Sequence, residues 1–325
     1  IARTALGGWT LGLAVKAHAQ SALPGAWPNK PIRLVVPSGA GSQTDIFARY
    51  IAENLGKVFG QSFIVDNKPG ASGNIGSMAV VGAPADGHTL LFSAASFTAV
   101  PAALRPNMPY DLLRDLEPIV QIGVGGLMLA VTGDSPIRTV PDLFDLARRE
   151  PGKHGYGTTG VASTAHLIMA SLLARQGASM PHVPYKSSAE VLRDLSGGVL
   201  KVGWIDTTSS IGMVQAGKVR PLAMGATMRM PVTAQVPTFN ELGYPMDLNG
   251  WLGLFAPAGT PAPIVQAINV EVNRLVHSEE GTRRLAVMNV ANPPAVTPEG
   301  FAARIRADVQ GWRKLAVDNN IKPES

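Results

Sequence analysis

The segment of residues 35–45 restricts the possible folds of this chain more than any other segment. It begins inside a β-branched run, residues 32–36, that is typical of a buried parallel strand. After it, apolar residues recur at helical spacing from residue 46 to residue 59, and Gly60 predicts the end of that helix. A strand that turns directly into a helix predicts an α/β fold.

The turn inside this segment consists of small residues, and Ser42 or Thr44 is available to cap the helix. A helix N-terminus after such a turn exposes unpaired N–H groups at the positive end of the helix dipole, which suits a carboxylate or phosphate. The turn lacks the Gly-Lys-Ser/Thr ending of a nucleotide P-loop and the third glycine of a dinucleotide motif. An ordinary tight βα turn is the alternative. The candidate ligand contacts are Ser38, Gly39, Ala40, Gly41, Ser42 and Thr44.

Strand and helix signals alternate along the chain, and the same device occurs a second time. Residues 89–92 predict a strand, and ligands of open α/β sheets bind at the carboxyl ends of strands, so Ser93 and Ser96 are further candidates. Residues 156–164 form a second small, hydroxyl-rich turn that leads into a helix. Two such turns predict two α/β domains with a cleft between them. The candidates in the second turn are Thr158, Thr159, Ser163 and Thr164.

Two polar residues in the second half of the chain have two interpretations each. His166 lies in the first predicted helical turn, where a structural hydrogen bond competes with a ligand contact. Asp206 follows an apolar strand, residues 200–205, and could cap a helix that reaches Gly217. Its functional alternative is a contact to a ligand ammonium group or to a bridging water.

The motifs of several enzyme classes are missing or incomplete. Residues 155–160 fit the pattern GxGxxG, but no acidic residue lies between Glu150 and Glu190, where a dinucleotide site needs one. The chain has no GxSxG motif, no HExxH motif and no cysteine, so we expect no metal, no cofactor and no catalytic residue. The histidines are His18, His88, His154, His166, His182 and His277.

Composition places the chain among globular proteins, because 46% of its residues are hydrophobic and 16% are charged. No run approaches the roughly 20 apolar residues of a membrane helix. The net charge is +5, without a basic block or interleaved aromatic residues, so we expect no nucleic-acid partner.

The N-terminus has features of an export signal. Arg3 precedes a modest apolar stretch, residues 6–15, and Ala17-His18-Ala19 has the small-x-small form of a signal-peptidase site. We interpret residues 1–19 as the remnant of a signal cleaved near Ala19/Gln20, which predicts a periplasmic protein. A disordered or helical N-terminal arm is the alternative.

Ordered motifs extend over nearly the whole chain after residue 26, and together they resemble the Bug (Bordetella uptake gene) family, whose members are substrate-binding proteins of tripartite tricarboxylate transporters. The motifs are Trp27-Pro28-Asn29-Lys30-Pro31, Val65-Asp66-Asn67-Lys68-Pro69-Gly70, Pro84-Ala85-Asp86-Gly87-His88, His182-Val183-Pro184-Tyr185-Lys186 and Trp251-Leu252-Gly253-Leu254-Phe255-Ala256-Pro257.

The resemblance implies a periplasmic binding protein of type II architecture, with two Rossmann-like domains joined by a hinge. One domain would comprise residues 25–124 plus 249–325 and the other residues 125–248. Such a receptor is a monomer that closes on a small carboxylate (a di- or tricarboxylic acid, an aromatic acid or an amino acid), performs no catalysis and delivers its ligand to membrane permease subunits. Family members hold the ligand carboxylate on the two turns described above. A receptor for a sensor protein and an anion-binding enzyme are the alternatives.

The first turn departs from the family pattern. The family usually has an aromatic residue and two prolines where this chain has Ser38, Gly39 and Ala40, and commonly a glycine in place of Ser42. Since proline has no N–H, Gly39 and Ala40 regain two backbone donors, and the missing aromatic ring removes a wall of the pocket. We therefore expect a ligand that is bulkier or has an additional acceptor, such as an aromatic or polycarboxylic acid.

Overall fold

The computed structural model describes residues 27–185, 187–246, 248 and 250–321. The predicted export signal, residues 1–19, lies outside the described residues. Within them the chain alternates strands and helices and forms two five-stranded sheets, which confirms the predicted α/β fold. The strands are β1 (Ile32–Val36), β2 (Phe63–Asn67), β3 (Thr89–Ala94), β4 (Leu116–Gly125), β5 (Leu127–Thr132), β6 (Tyr156–Thr158), β7 (His182–Pro184), β8 (Val202–Asp206), β9 (Val219–Gly225) and β10 (Gly250–Pro257).

The helices cover the faces of the two sheets. They are α1 (Gln43–Phe59), α2 (Asn74–Val81), α3 (Ala99–Leu104), α4 (Val140–Arg149), α5 (Thr164–Arg175), α6 (Ser188–Ser196), α7 (Thr207–Gln215), α8 (Ala262–Val276), α9 (Glu279–Val287) and α10 (Pro298–Asp318). Short 3-10 turns occupy Ala71–Gly73, Ala95–Phe97 and Pro231–Thr233.

The two sheets have related topologies. The first has the order β2-β1-β3-β10-β4, and β10 is antiparallel to both of its neighbours. The second has the order β7-β6-β8-β5-β9, and β5 is antiparallel to both of its neighbours. In each sheet the other four strands therefore point the same way, and their carboxyl ends share one edge.

The chain passes from one sheet to the other at these two edges. β4 ends at Gly125 and β5 begins at Leu127, so Gly126 is the only residue between them. A Cβ atom at Gly126 would lie 2.8 Å from the Cβ atom of Ala226, so the crossing is too close-packed for a side chain. The carboxyl edge of the first sheet is therefore joined to the carboxyl edge of the second by a single residue at this point.

Side chains cap several of the helices. Ser42, one of the two residues predicted to cap α1, accepts a hydrogen bond from a backbone N–H of the first helical turn, and Ser163 and Thr297 do the same for α5 and α10. The pair Thr260-Pro261 favours a cap at Thr260, but Thr260 donates its hydroxyl to the carbonyl of Pro257 at 2.8 Å instead, and Pro261 occupies the N-cap position of α8. The Thr260 hydroxyl therefore bonds to the backbone of the preceding turn, and such local bonds of threonine commonly compete with helix capping.

The C-terminal helix α10 packs against both halves of the molecule. Phe301 and Ile305 join a buried cluster with Trp251 under the first sheet. Trp312 and Ala316 belong to the core that contains the helices and strands of the second sheet. The predicted division into domains at residues 124/125 and 248/249 stays a prediction, and α10 is the element that such a division leaves in contact with both sides.

We predict that Gly253→Ala destabilises the fold. A Cβ atom at Gly253 would overlap the ring of Phe301 and would lie 3.1 Å from the carbonyl oxygen of Val120. Overpacking of this kind costs about 1–3 kcal/mol of unfolding free energy, which urea titration would measure as a lower midpoint. Gly125→Ala is the control, because nothing lies within 4 Å of its Cβ position. Equal midpoints for the two variants would contradict the prediction.

Candidate functional site

The first turn is closed by two hydroxyl groups. Ser42 caps α1 and accepts a hydrogen bond from the N–H of Asp45 at 3.2 Å. The hydroxyl of Ser38 lies 2.7 Å from that of Ser42, and Ser38 is buried. Gly39 and Ala40 are exposed at the tip of the turn. Thr44 is buried within α1, so the turn presents mainly its backbone to an incoming ligand.

Asp45 supports this turn from the inside. Its buried carboxylate accepts hydrogen bonds from the N–H of Gly41 at 2.8 Å and from Asn67 at 2.9 Å, and it forms an ion pair with Arg49. Burial tends to raise the pKa of Asp45, but the hydrogen bonds from Arg49, Gly41 and Asn67 outweigh burial, and the pKa is lowered. The carboxylate is therefore ionised at neutral pH. The N–H of Gly41, a candidate ligand donor, is directed to Asp45 instead.

A strained loop adjoins the first turn at the carboxyl edge of the same sheet. Ala71 and Ser72 have φ angles of 47° and 53°, in the left-handed region that non-glycine residues rarely adopt. Arg105 donates a hydrogen bond to the hydroxyl of Ser72 at 2.8 Å and helps to hold this conformation. Such strain concentrates at ligand-binding sites. The sequence indicated only a turn here, because a run of left-handed residues that includes Ala and Ser has no clear signature.

The two serines after β3 have different environments. Ser93 is fully buried, and its hydroxyl lies 3.5 Å from the carbonyl oxygen of Ala94. Ser96 is exposed in the following 3-10 turn. Of these two candidates, only Ser96 presents its side chain at the surface.

The second turn also divides into supporting and exposed residues. Thr158 is fully buried, and its hydroxyl donates to the carbonyl of Gly160 at 3.0 Å and accepts from Ser163 at 3.2 Å. Ser163 also caps α5 through the N–H of His166. Thr159 is exposed and Thr164 is half-buried, so these two candidates form the surface of the turn.

Two histidines stack behind the second turn. The rings of His166 and His182 are parallel within 11°, with centroids 3.7 Å apart. The Nδ1 atom of His166 accepts the N–H of Ala162 at 3.1 Å, and the Nε2 atom of His182 lies 2.7 Å from the hydroxyl of Thr158. Burial, with a smaller contribution from His182, lowers the pKa of His166 to about 4. Burial also lowers the pKa of His182, so both rings are neutral at neutral pH.

Asp206 adopts the structural alternative predicted for it. Its Oδ1 atom accepts the N–H of Ser209 at 2.7 Å and caps α7. Asp206 pairs with Leu127, the first residue of β5, so it lies beside the crossing between the sheets. A ligand contact of Asp206 stays a prediction.

The described residues contain neither a candidate metal site nor a candidate membrane-spanning helix. Among them, no three or more histidine or acidic side chains come together in a way that could hold a metal ion. No helix in the described part of the chain combines the length and the apolar character needed to cross a membrane.

Comparison with known proteins identifies the relatives of this structure. The sequence profile of the tripartite tricarboxylate transporter family receptor matches residues 47–290. The protein BugT of Bordetella pertussis is 31% identical to this chain over 315 residues, which cover 96% of this chain and 95% of BugT. The solved structure of R. palustris Rpa4515 with adipate has a TM-score of 0.77 and 33% identity, covering 92% of this chain and all of the other. MatC of Rhodopseudomonas palustris, solved with bound malate, has a TM-score of 0.72 and 25% identity, covering 89% and 99%.

We predict that stability falls as the pH drops from about 6.5, the ordinary histidine value, toward the pKa of about 4 of His166. In that range the unfolded chain binds protons that the folded chain excludes, so the free energy of unfolding decreases with falling pH. His166→Asn keeps an acceptor for the N–H of Ala162 but removes the titrating ring. Urea titrations between pH 7.5 and 4.5 should therefore show a shallower pH dependence for this variant. A variant with the wild-type dependence would contradict the prediction.

Proposed function

This chain belongs to the tripartite tricarboxylate transporter receptor family, as its resemblance to the Bug proteins predicted, and from this membership we propose that it is a periplasmic receptor for a small carboxylate. The ligand would lie between the two sheets, leave unchanged and be delivered to membrane permease subunits. The observation that carries the proposal is the pair of small-residue turns, each at a helix N-terminus, on two sheet edges between which the chain crosses at Gly126. The adipate and malate bound to similar structures support this ligand class.

We infer that the two turns contribute unequally to binding. The first turn of α1 contains the ionised carboxylate of Asp45, which competes with a ligand anion for the positive end of that helix. The first turn of α5 contains no acidic residue, and the histidines behind it are neutral. The charged end of the ligand would therefore lie at the second turn, near Thr159 and Thr164. The exposed backbone of Gly39 and Ala40 would hold the other end.

About four charge-assisted hydrogen bonds to the ligand would be enough for useful affinity. Charge-assisted hydrogen bonds contribute about 1.5–3 kcal/mol each, so about four of them supply roughly 6–12 kcal/mol before costs. Ordering of the turns and closure of the cleft subtract from that sum. A remainder of about 8 kcal/mol corresponds to a micromolar dissociation constant.

The proposal predicts that Thr159→Ala weakens carboxylate binding without loss of stability. A thermal-shift screen of organic acids and amino acids would first select a ligand, which mass spectrometry should recover unchanged. Calorimetric titration should then show an affinity about 5–30-fold lower for the variant, corresponding to about 1–2 kcal/mol. Because Thr159 is exposed and does not cap a helix, the melting temperature of the variant should match that of the wild type. Equal affinity of wild type and variant would remove this turn from the site.

Ser163→Ala is the matched comparison in the same turn. Since Ser163 caps α5, its replacement should cost about 0.5–2 kcal/mol of stability, unlike the replacement of Thr159. A screen in which no carboxylate raises the melting temperature would contradict the proposed function as a whole.

A further prediction concerns ligand size and the two positions that depart from the family pattern. Ser38→Phe alone places a ring against the hydroxyl of Ser42, which lies 2.7 Å from that of Ser38, and should destabilise the turn. Ser38→Phe combined with Ser42→Gly should recover stability and bind compact acids better than bulky ones. Titration of a graded series of acids against both variants tests this expectation. A uniform loss of affinity for all acids in the double variant would show that position 38 does not set pocket size.

A further inference from the structure

A cavity that is open to solvent on one side lies at the C-terminal end of α5, away from the two small-residue turns. It has a volume of about 400 Å³ and is lined by the later turns of α5, by residues 245, 246 and 248, and by α10. Cavities that bind small molecules span roughly 300–1,000 Å³. No candidate residue of the cleft lines it. Its apolar walls are formed by Ile168, Leu172, Met246, Leu248, Ala307 and Leu315.

The charged residues around this cavity are mostly basic. Arg175, Arg304 and Lys314 line it together with one acid, Asp308. The carboxylate of Asp308 is buried, accepts the indole N–H of Trp251 at 2.7 Å and forms an ion pair with Arg304 at 2.9 Å. The single acid is therefore already neutralised within the protein, and the remaining charge of the lining is positive.

The two other cations lie where solvent can reach them. Arg175 is exposed and uses its Nη1 atom to donate to the carbonyl of Pro245 at 2.9 Å, which fixes the side chain against the cavity wall. Lys314 forms an exposed ion pair with Asp318, a kind of contact that contributes little and is easily exchanged. An apolar interior with basic groups at its mouth suits a molecule with an apolar body and one negative group.

We propose that this cavity is a second binding site, for a single-chain amphipathic monocarboxylate. Its hydrocarbon chain lies against Leu172 and Leu248, and its carboxylate pairs with Arg175 and Lys314 at the mouth. This site does not depend on the function proposed for the cleft, because it shares no residue with the two turns.

Octanoate is the probe that tests this proposal, with octanol and octylammonium as neutral and cationic probes of the same chain length. Calorimetric titration of the full chain should show octanoate binding at least tenfold tighter than either of the other two probes. Adipate, used as a probe of the cleft, should not displace bound octanoate. Failure of millimolar octanoate to bind, equal binding of all three probes, or displacement by adipate would overturn the proposal.

Two kinds of variant test separately the contribution of the apolar walls and that of the basic side chains to octanoate binding. The double variant Arg175→Glu/Lys314→Glu should lower octanoate affinity at least tenfold and leave the fold intact, because both side chains are exposed. Gly311→Phe should abolish binding, because a side chain at Gly311 points at Leu248 in the lining. Arg306→Glu, on the same helix but outside the lining, is the control and should bind octanoate as the wild type does. An equal loss in the control, or no loss in either cavity variant, would overturn the proposal.

Discussion

The single-residue crossing at Gly126 is the constraint from which the position of the proposed cleft follows. Because β4 ends and β5 begins on either side of this residue, the carboxyl edge of one sheet must adjoin that of the other. The return strand β10 enters at the same place, where Gly250 pairs with Gly125. Both crossings are thus built from glycines in close contact, and a Cβ atom at Gly250 would lie 3.2 Å from the carbonyl oxygen of Gly125. This topology places the loops that follow the parallel strands on the two sheet edges that Gly126 connects.

The two turns are similar in sequence but differ in electrostatics. The positive end of α1 is already partly neutralised by Asp45, whose own charge is balanced by Arg49. At the positive end of α5 the first helical turn has no acidic residue, and burial holds the stacked histidines in their uncharged forms. A cationic pair at this position would bind anions more strongly but would have to remain charged in a partly buried place, which is costly. The neutral histidine stack supports the turn without adding charge. In the proposed site, a ligand anion would therefore be attracted only by the helix dipole and by hydrogen bonds.

Sequence reasoning was successful where the determining contacts are local. The caps at Ser42 and Asp206 bind atoms only three residues away, so residue type and spacing were enough to name both residues as cap candidates. It could not find contacts that depend on tertiary structure. His182 is 16 positions from its stacking partner His166, and it reaches that ring only because β7 pairs with β6 beside α5. The role of Asp45 was missed for a related reason, since Asn67, one of its partners, comes from the neighbouring strand β2.

The contact between Ser38 and Ser42 changes the meaning of the departures from the family pattern. In sequence they are two independent substitutions, one that removes an aromatic wall and one that adds a hydroxyl to a usual glycine position. In the structure the two hydroxyls are 2.7 Å apart, and Ser42 also caps α1. Because a buried hydroxyl without a partner costs about 1–3 kcal/mol, replacing Ser42 alone by glycine would leave the buried hydroxyl of Ser38 without this contact. Replacing Ser38 alone by an aromatic residue would leave Ser42 its cap to Asp45 but would place a ring against the Ser42 hydroxyl. If this turn binds the ligand as proposed, ligand size and helix capping are coupled at these two residues.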